Sequence, residues 1–272
     1  MIEVKNLTFK YAGQKLPVFE DFSLELEENR IYGLLGKNGT GKSTLLYLMA
    51  GLLRPKSGSV TVNGFIPHRR QADMLKEVFI VPEEFELPRT SLKNYVRLTE
   101  PFYPHFSHEV LSACLEEFEL EQNLQLGALS MGQKKKVFMS VALAAGTQLL
   151  MMDEPTNGLD IPSKSKFRKV VAEQMSDDRT LIISTHQVHD VEALLDHILL
   201  LSQRAMLLDA SVADITDRYV FDFRKPDEME GVIYAEPSLQ GNASISLRQE
   251  GEPETQLNLE LLFNAVTKGL IK

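Results

Sequence analysis

The octapeptide Gly36-Lys37-Asn38-Gly39-Thr40-Gly41-Lys42-Ser43 constrains this chain more than any other stretch. It has the form G-x-x-x-x-G-K-S, with an apolar run, Ile31–Leu35, before it and a helix-like run, 44–50, after it. Strand, glycine-rich loop and helix in that order make a phosphate-binding loop. Glycines let the backbone curl so that successive N–H groups point inward as an anion nest. The helix starting near Lys42 adds its N-terminal amides and positive dipole end. Lys42 supplies a mobile cation, and the Ser43 hydroxyl suits Mg2+.

Bulk properties narrow the setting. A length of 272 residues suits one large or two modest domains with ample core. The formal net charge of −9 argues against bulk binding to nucleic acid. The lone cysteine, Cys114, excludes an internal disulfide framework and suits a reducing compartment. It sits at a helix-spaced apolar position, which points to core. No apolar run approaches the ~20 residues of a membrane span, and the opening Met-Ile-Glu-Val-Lys does not read as a signal peptide. The expectation is a soluble cytosolic chain that reaches a membrane only through a partner.

Along the chain, Val4, Leu7 and Phe9 and then Phe22, Leu24 and Leu26 alternate as two strands of an antiparallel layer ahead of the phosphate loop. A strand over 59–63 and a short helical stretch lead to Val78–Val81, a continuous apolar strand that Pro82 ends. From 85 to about 129 the pattern is helical, with Ser107 as an N-cap and Val110, Leu111, Cys114, Leu115 and Phe118 as one apolar stripe. A helix follows Ser130, and Lys134, Lys135 and Lys136 read as its solvated face. An apolar strand over 149–152 ends in Asp153-Glu154. A helix over 162–175, a strand over 181–184 ending near His186, a helix over 188–195 and strands near 198–202 and 206–209 complete the order. Beyond 210 the pattern changes: 222–230 reads as a charged loop, short alternating runs fall at 232–235 and 243–247, and a last helix carries Leu259, Leu262, Phe263 and Val266 up to Gly269.

The acids after 149–152 bear on chemistry. An aspartate at a buried strand end can hold the Mg2+ that bridges outer phosphates, and a neighbouring glutamate can orient the attacking water. With Leu129-Ser130-Met131-Gly132-Gln133 twenty residues earlier, the chain resembles the ATP-binding-cassette (ABC) ATPases over residues 1 to about 209. The resemblance matches Tyr11 to the aromatic that stacks on adenine, residues 36–43 to Walker A, 149–153 to Walker B, Glu154 to the catalytic glutamate, 157–160 to the D-loop and His186 to the switch histidine.

That resemblance implies an α/β fold. Its core is a P-loop NTPase with a mostly parallel sheet, an antiparallel β subdomain and a helical insertion at about 85–129, followed by a small α+β module over 210–272. It implies ATP and Mg2+ as cofactors. ATP contacts fall on Tyr11, Gly36, Lys37, Asn38, Gly39, Thr40, Gly41, Lys42, Ser43 and Thr44. Ser130, Gly132, Gln133 and Asp160 act across a dimer of cassettes, and Ser43, Asp153 and Glu83 serve the metal.

Two residues depart from the family's pattern: Glu83 stands where a glutamine is expected, and Met131 where a glycine is. Met131 means that this position does not need a positive φ. The implied function is the ATPase subunit of an exporter, paired with a second cassette and docked through 85–129 onto separately encoded membrane subunits at the cytoplasmic face. The alternative is a non-transport cassette ATPase acting on ribosomes or DNA, to which the acidic balance is ill suited. A binding-only regulatory cassette is disfavoured by the intact Lys42, Asp153, Glu154 and His186.

Overall fold

The computed structural model describes residues 1–271 apart from 177, 204 and 240. Its centre is a six-stranded sheet built from β3 (Ile31–Leu35), β5 (Val78–Val81), β6 (Leu149–Asp153), β7 (Thr180–Thr185), β8 (His197–Ser202) and β9 (Ala205–Ser211), in the order β5-β6-β7-β3-β8-β9. All neighbours run parallel except β8 and β9. β6 and β7 are buried at every position, as continuous apolar strands covered on both faces must be.

The two faces of this sheet carry separate cores, because successive side chains point to opposite sides. Leu149, Met151 and Ile182 face the side that holds α1 (Lys42–Met49) and a three-stranded antiparallel sheet. That sheet joins β1 (Ile2–Phe9), β2 (Phe19–Leu26) and β4 (Ser57–Val62) in the order β2-β1-β4. Leu150, Met152, Leu181 and Ile183 face the helices of the other side.

On that second side, α3 (Leu92–Thr99) and α4 (His108–Glu117) form the insertion, and α5 (Met131–Ala144) and α6 (Ile161–Gln174) lie between it and the sheet. α2 (Ala72–Leu75) is a single turn before β5. Ser107 caps α4 by accepting from the Val110 N–H. Leu111, Cys114, Leu115 and Phe118 are buried as the spacing predicts, while Val110 is half-buried. Burial pushes the Cys114 thiol up to about 12, consistent with a core residue. The Arg179 guanidinium is also buried and donates to the Leu143 and Ala142 carbonyls, closing the C-terminal end of α5.

After β9 come α7 (Val212–Arg218), β10 (Tyr219–Arg224), β11 (Val232–Ser238), β12 (Gly241–Leu247) and α8 (Leu259–Thr267). The three strands form an antiparallel sheet in the order β10-β12-β11. Tyr234, Ile245, Leu262 and Val266 belong to the same buried cluster as β7 and α6. Gly269 ends the last helix at φ 75, as its position predicts.

Two readings of secondary structure need correction. The segment 188–195 is not an α-helix but two 3₁₀ turns, Val188–Asp190 and Glu192–Leu194. Val191, at φ −126, breaks the helical path between them. The neighbouring acids serve tertiary partners instead: Asp190 pairs with Lys164, and Glu192 accepts from the first amide of α8, Leu259 N, at 2.7 Å. The charged stretch 222–230 is not all loop, because Asp222 to Arg224 closes β10. Its charges are satisfied within the ladder, where Arg224 bonds Asp222 and Ser246 and Asp222 accepts from Ser244.

Leu262 is fully buried. Leu262→Ala is expected to weaken the attachment of α8 by about 2–5 kcal/mol. Hydrogen exchange checks this: α8 amides lose protection while those of β6 and β7 keep theirs.

Candidate functional site

Parallel strands bring their C-terminal ends to one edge, which is where open α/β sheets bind ligands. Register then decides who meets whom. Leu35 lies beside Thr185, Asp153 beside Ser184 and Val81 beside Met152. The loop after β3, the two acids of β6 and the histidine after β7 therefore converge, with the loop after β5 at their flank.

The loop 36–43 wraps its own lysine. Lys42 Nζ donates to the carbonyls of Gly36 at 2.8 Å and Lys37 at 3.3 Å, and stands 3.7 Å from Glu154 Oε1. Burial lowers its pKa, and the Glu154 and Asp153 carboxylates oppose that shift. A side chain at Gly36 would overlap the Leu201 carbonyl, at 2.4 Å from the added carbon. Gly41, at φ 106, starts α1 with no side-chain cap on its first amides. Those free N–H groups and the enclosed ammonium fit a polyphosphate. Tyr11, Asn38, Gly39, Ser43, Thr44, Glu83 and Glu154 line the same cleft. The Tyr11 hydroxyl lies 3.1 Å from Thr44 Oγ1, and its ring meets Phe9 edge-on. Thr40 closes the loop on itself by donating to the Lys37 carbonyl.

The two acids differ in their surroundings. Asp153 is 1% exposed. One carboxylate oxygen accepts from Ser184, while the other, Oδ2, has no partner. Burial raises its pKa, and the nearby Ser184 and Ser43 hydroxyls oppose that rise. An orphaned buried carboxylate oxygen beside a serine hydroxyl is a donor set for a hard divalent cation that draws its other ligands from water and phosphate. Among the described residues no three His, Cys, Asp or Glu side chains form a ready-made metal cage.

Glu154 is fully engaged. Thr185 donates to Oε2 at 2.9 Å, and the His186 backbone N–H donates to Oε1 at 3.1 Å. His186 Nδ1 lies 2.8 Å from the same oxygen, so that nitrogen carries the proton and Nε2 is left for another partner. Glu154 itself has φ 46, a left-handed conformation that non-glycine residues hold only when their surroundings enforce it. Part of that hold comes from Lys135. The basic run 134–136 is not a uniformly solvated face, because Lys135 is buried and donates to the carbonyls of Glu154 and Asn157. Asn157 in turn donates to Glu83 Oε1 at 2.9 Å.

The ABC transporter family matches residues 19–157. The chain belongs to the ABC transporter family. It is 29% identical over 211 residues to the ABC transporter ATP-binding protein NatA of Bacillus subtilis, covering 74% of this chain and 85% of that protein. An ATP-binding subunit of an ABC transporter superposes with a TM-score of 0.70 at 27% identity, over 79% of this chain and 91% of that one. A dimeric ATP-binding cassette in a post-hydrolysis state with ADP and Pi shares the fold, at TM-score 0.67 and 23% identity, over 78% of this chain and 99% of that one.

Within this cassette the remaining motif residues lie away from the cleft. Ser130 and Gln133 form a reciprocal cap on α5: Ser130 Oγ accepts from Gln133 N, and Gln133 Oε1 accepts from Ser130 N. Met131 is helical, 58% exposed and free of positive φ, so the methionine sits there without strain. A side chain at Gly132 would meet only the Gly158 carbonyl, at 3.8 Å from the added carbon. Asp160 caps α6, and hydrogen bonds from Ser163 hold its carboxyl below the usual range. None of Ser130, Gly132, Gln133 or Asp160 lines the cleft of its own chain.

Sequence reasoning missed Ser184, Thr185, Asn157 and Lys135. The first two were visible as hydroxyls closing an otherwise apolar strand. Lys135 aligns with Met139 and Ala142 along α5, and that spacing is the signal for its burial. Of the aromatics in the insertion, Phe102 is 70% exposed. Tyr95, Tyr103 and Phe106 are partly buried against the core.

The raised Asp153 pKa sets a sign. A carboxyl whose folded-state pKa lies above its ordinary 3.8 favours folding below that value and opposes it once ionised. Asp153→Asn keeps an oxygen for Ser184 and removes the unpaired charge. Without nucleotide the variant is expected to be more stable by roughly 1 kcal/mol, read as a higher melting temperature.

Proposed function

We propose that this chain is the ATP-binding and ATP-hydrolysing subunit of an ABC transporter, working as one of a pair of cassettes. The observation that carries the reading is the convergence of Lys42, Asp153, Glu154 and His186 at one sheet edge, beside a loop with free helix-terminal amides. In this reading residues 36–44 hold the phosphates of ATP, Tyr11 offers its ring to the adenine, and Asp153 with Ser43 holds Mg2+, with Glu83 beside them. When bound, Mg2+ neutralises charge developing on the phosphates. Glu154, fixed by Thr185 and His186, orients the water and accepts its proton, and His186 Nε2 is free to bond the terminal phosphate.

The position of the signature residues supports pairing. Ser130, Gly132 and Gln133 begin α5 at a surface outside the cleft, so they reach a nucleotide only on a facing subunit, again through a helix N-terminus. Asp160 meets the facing subunit in the same arrangement. We infer a homodimer; the ADP-bound structural neighbour is also dimeric. Residues 1–209 make up the cassette, and 210–272 an accessory module packed on it.

Membrane attachment is assigned to the insertion. Among the described residues no helix is long and apolar enough to cross a membrane. A groove beside β5 and α3 is lined by Leu52, Leu75, Tyr95, Phe102, Tyr103 and Phe138, and Phe102 and Leu52 are largely exposed. This groove suits an apolar segment of separately encoded membrane subunits, and on that reading we assign the chain to the cytoplasmic face. We assign export as the direction, from the short two-helix insertion.

Two experiments test the reading. Glu154→Gln is expected to bind ATP with near-normal affinity, lose turnover by on the order of 10³-fold, and elute as a dimer with ATP; near-normal hydrolysis removes the catalytic role from Glu154. Affinity purification of the full chain from detergent-solubilised membranes is expected to bring down a multi-span protein. Recovery only with ribosomes or DNA supports the non-transport alternative instead.

A further inference from the structure

The scheme above leaves one buried charge without a task. Lys135 is 5% exposed, and its Nζ donates only to backbone: the Glu154 carbonyl at 2.8 Å and the Asn157 carbonyl at 3.0 Å. Neither acceptor is a carboxylate. A buried ammonium held only by neutral carbonyls still needs compensating charge nearby. Burial lowers the Lys135 pKa, and Glu83, ahead of Glu154 and Asp153, is the acid that most opposes this.

Glu83 has the complementary problem. It lines the cleft that holds the phosphate loop, where an acid adds negative charge beside a polyphosphate. Asn157 touches both residues. Its carbonyl accepts from Lys135, and its side chain donates to Glu83 Oε1 at 2.9 Å. The same lysine closes the Glu154–Asn157 turn, whose first residue sits at φ 46.

We propose that Lys135 and Glu83 form a compensated charge pair bridged by Asn157, and that Lys135 is through this pair a positioning residue for Glu154. The positioning half rests on the reading of Glu154 as the hydrolytic residue; the pairing half does not. The acid at position 83 and the buried cation on α5 are one device. The lysine offsets the charge that the acid brings to the cleft, and it ties down the strained turn that aims Glu154. Lys135 also lies five residues along α5 from Ser130, so the helix that begins with the signature residues grips this chain's own hydrolytic turn.

The test is a double-mutant cycle in the full chain: wild type, Glu83→Gln, Lys135→Gln and the double variant. Thermal unfolding is measured without nucleotide, and ATPase kinetics with ATP and MgCl2. Lys135→Gln is expected to lower the melting temperature by several degrees. It should also cut kcat on the order of 10- to 100-fold and leave the KM for ATP within about twofold. The double variant is expected to melt above Lys135→Gln alone, because the uncompensated acid is gone. Additive melting shifts overturn the pair, and an unchanged kcat in Lys135→Gln overturns the positioning role. If Lys135→Gln is insoluble alone, a soluble double variant reports the same coupling, and insolubility of both overturns it. Coupled melting in a wild-type chain that hydrolyses no ATP leaves the pair standing and refutes the catalytic reading of the site.

Discussion

Three charged groups meet at one edge of the central sheet with almost no water around them. Lys42 is 6% exposed, Asp153 1% and Glu154 4%. Ionised groups taken out of water cost several kcal/mol each, and their mutual attraction recovers that only where every remaining donor and acceptor is met. The neutral groups around them answer this demand. Gly36 and Lys37 offer carbonyls to the ammonium, and Ser184, Thr185 and His186 offer donors to the carboxylates. One of their acceptors is left unmet, Asp153 Oδ2, where the proposed cation would bind. The proposed metal ion would supply the partner that the protein's own groups do not.

That arrangement needs a parallel sheet with this strand order. β7 lies between β6 and β3, so its terminal hydroxyls and histidine fall between the acids and the phosphate loop. The alternation of Leu149 and Met151 against Leu150 and Met152 commits the two faces of β6 to different cores. A slip of one residue would exchange those faces and carry the acids out of register with Ser184. Packing on both sides of the sheet therefore fixes the geometry of the charges at its edge.

Much of this was legible in the chain itself. The phosphate loop, the acids after a continuous apolar strand and the capped, striped helix at 107–118 are local patterns, set by residues near one another in sequence. What was not legible depends on distant partners. Lys135 reads as part of a basic run because its carbonyl acceptors lie 19 and 22 residues away. The segment 188–195 has helical spacing, yet its acids are drawn off to Lys164 and to the start of α8, leaving 3₁₀ turns. Asp222 and Arg224 look like loop residues until the ladder to Ser244 and Ser246 is drawn. Tertiary contacts overrode the local pattern in each case.

The contact between α8 and the turns that follow His186 has a consequence for the order in which the molecule is completed. Glu192 accepts from Leu259 N, and His189 Nε2 lies 2.5 Å from Glu260. Translation delivers the phosphate loop, both acids and the histidine well before residues 259–267 leave the ribosome. A nascent chain can thus shape most of its nucleotide cleft while the backbone just beyond His186 still lacks its buttress. The backbone just beyond His186 thus reaches its final form only when α8 docks on it.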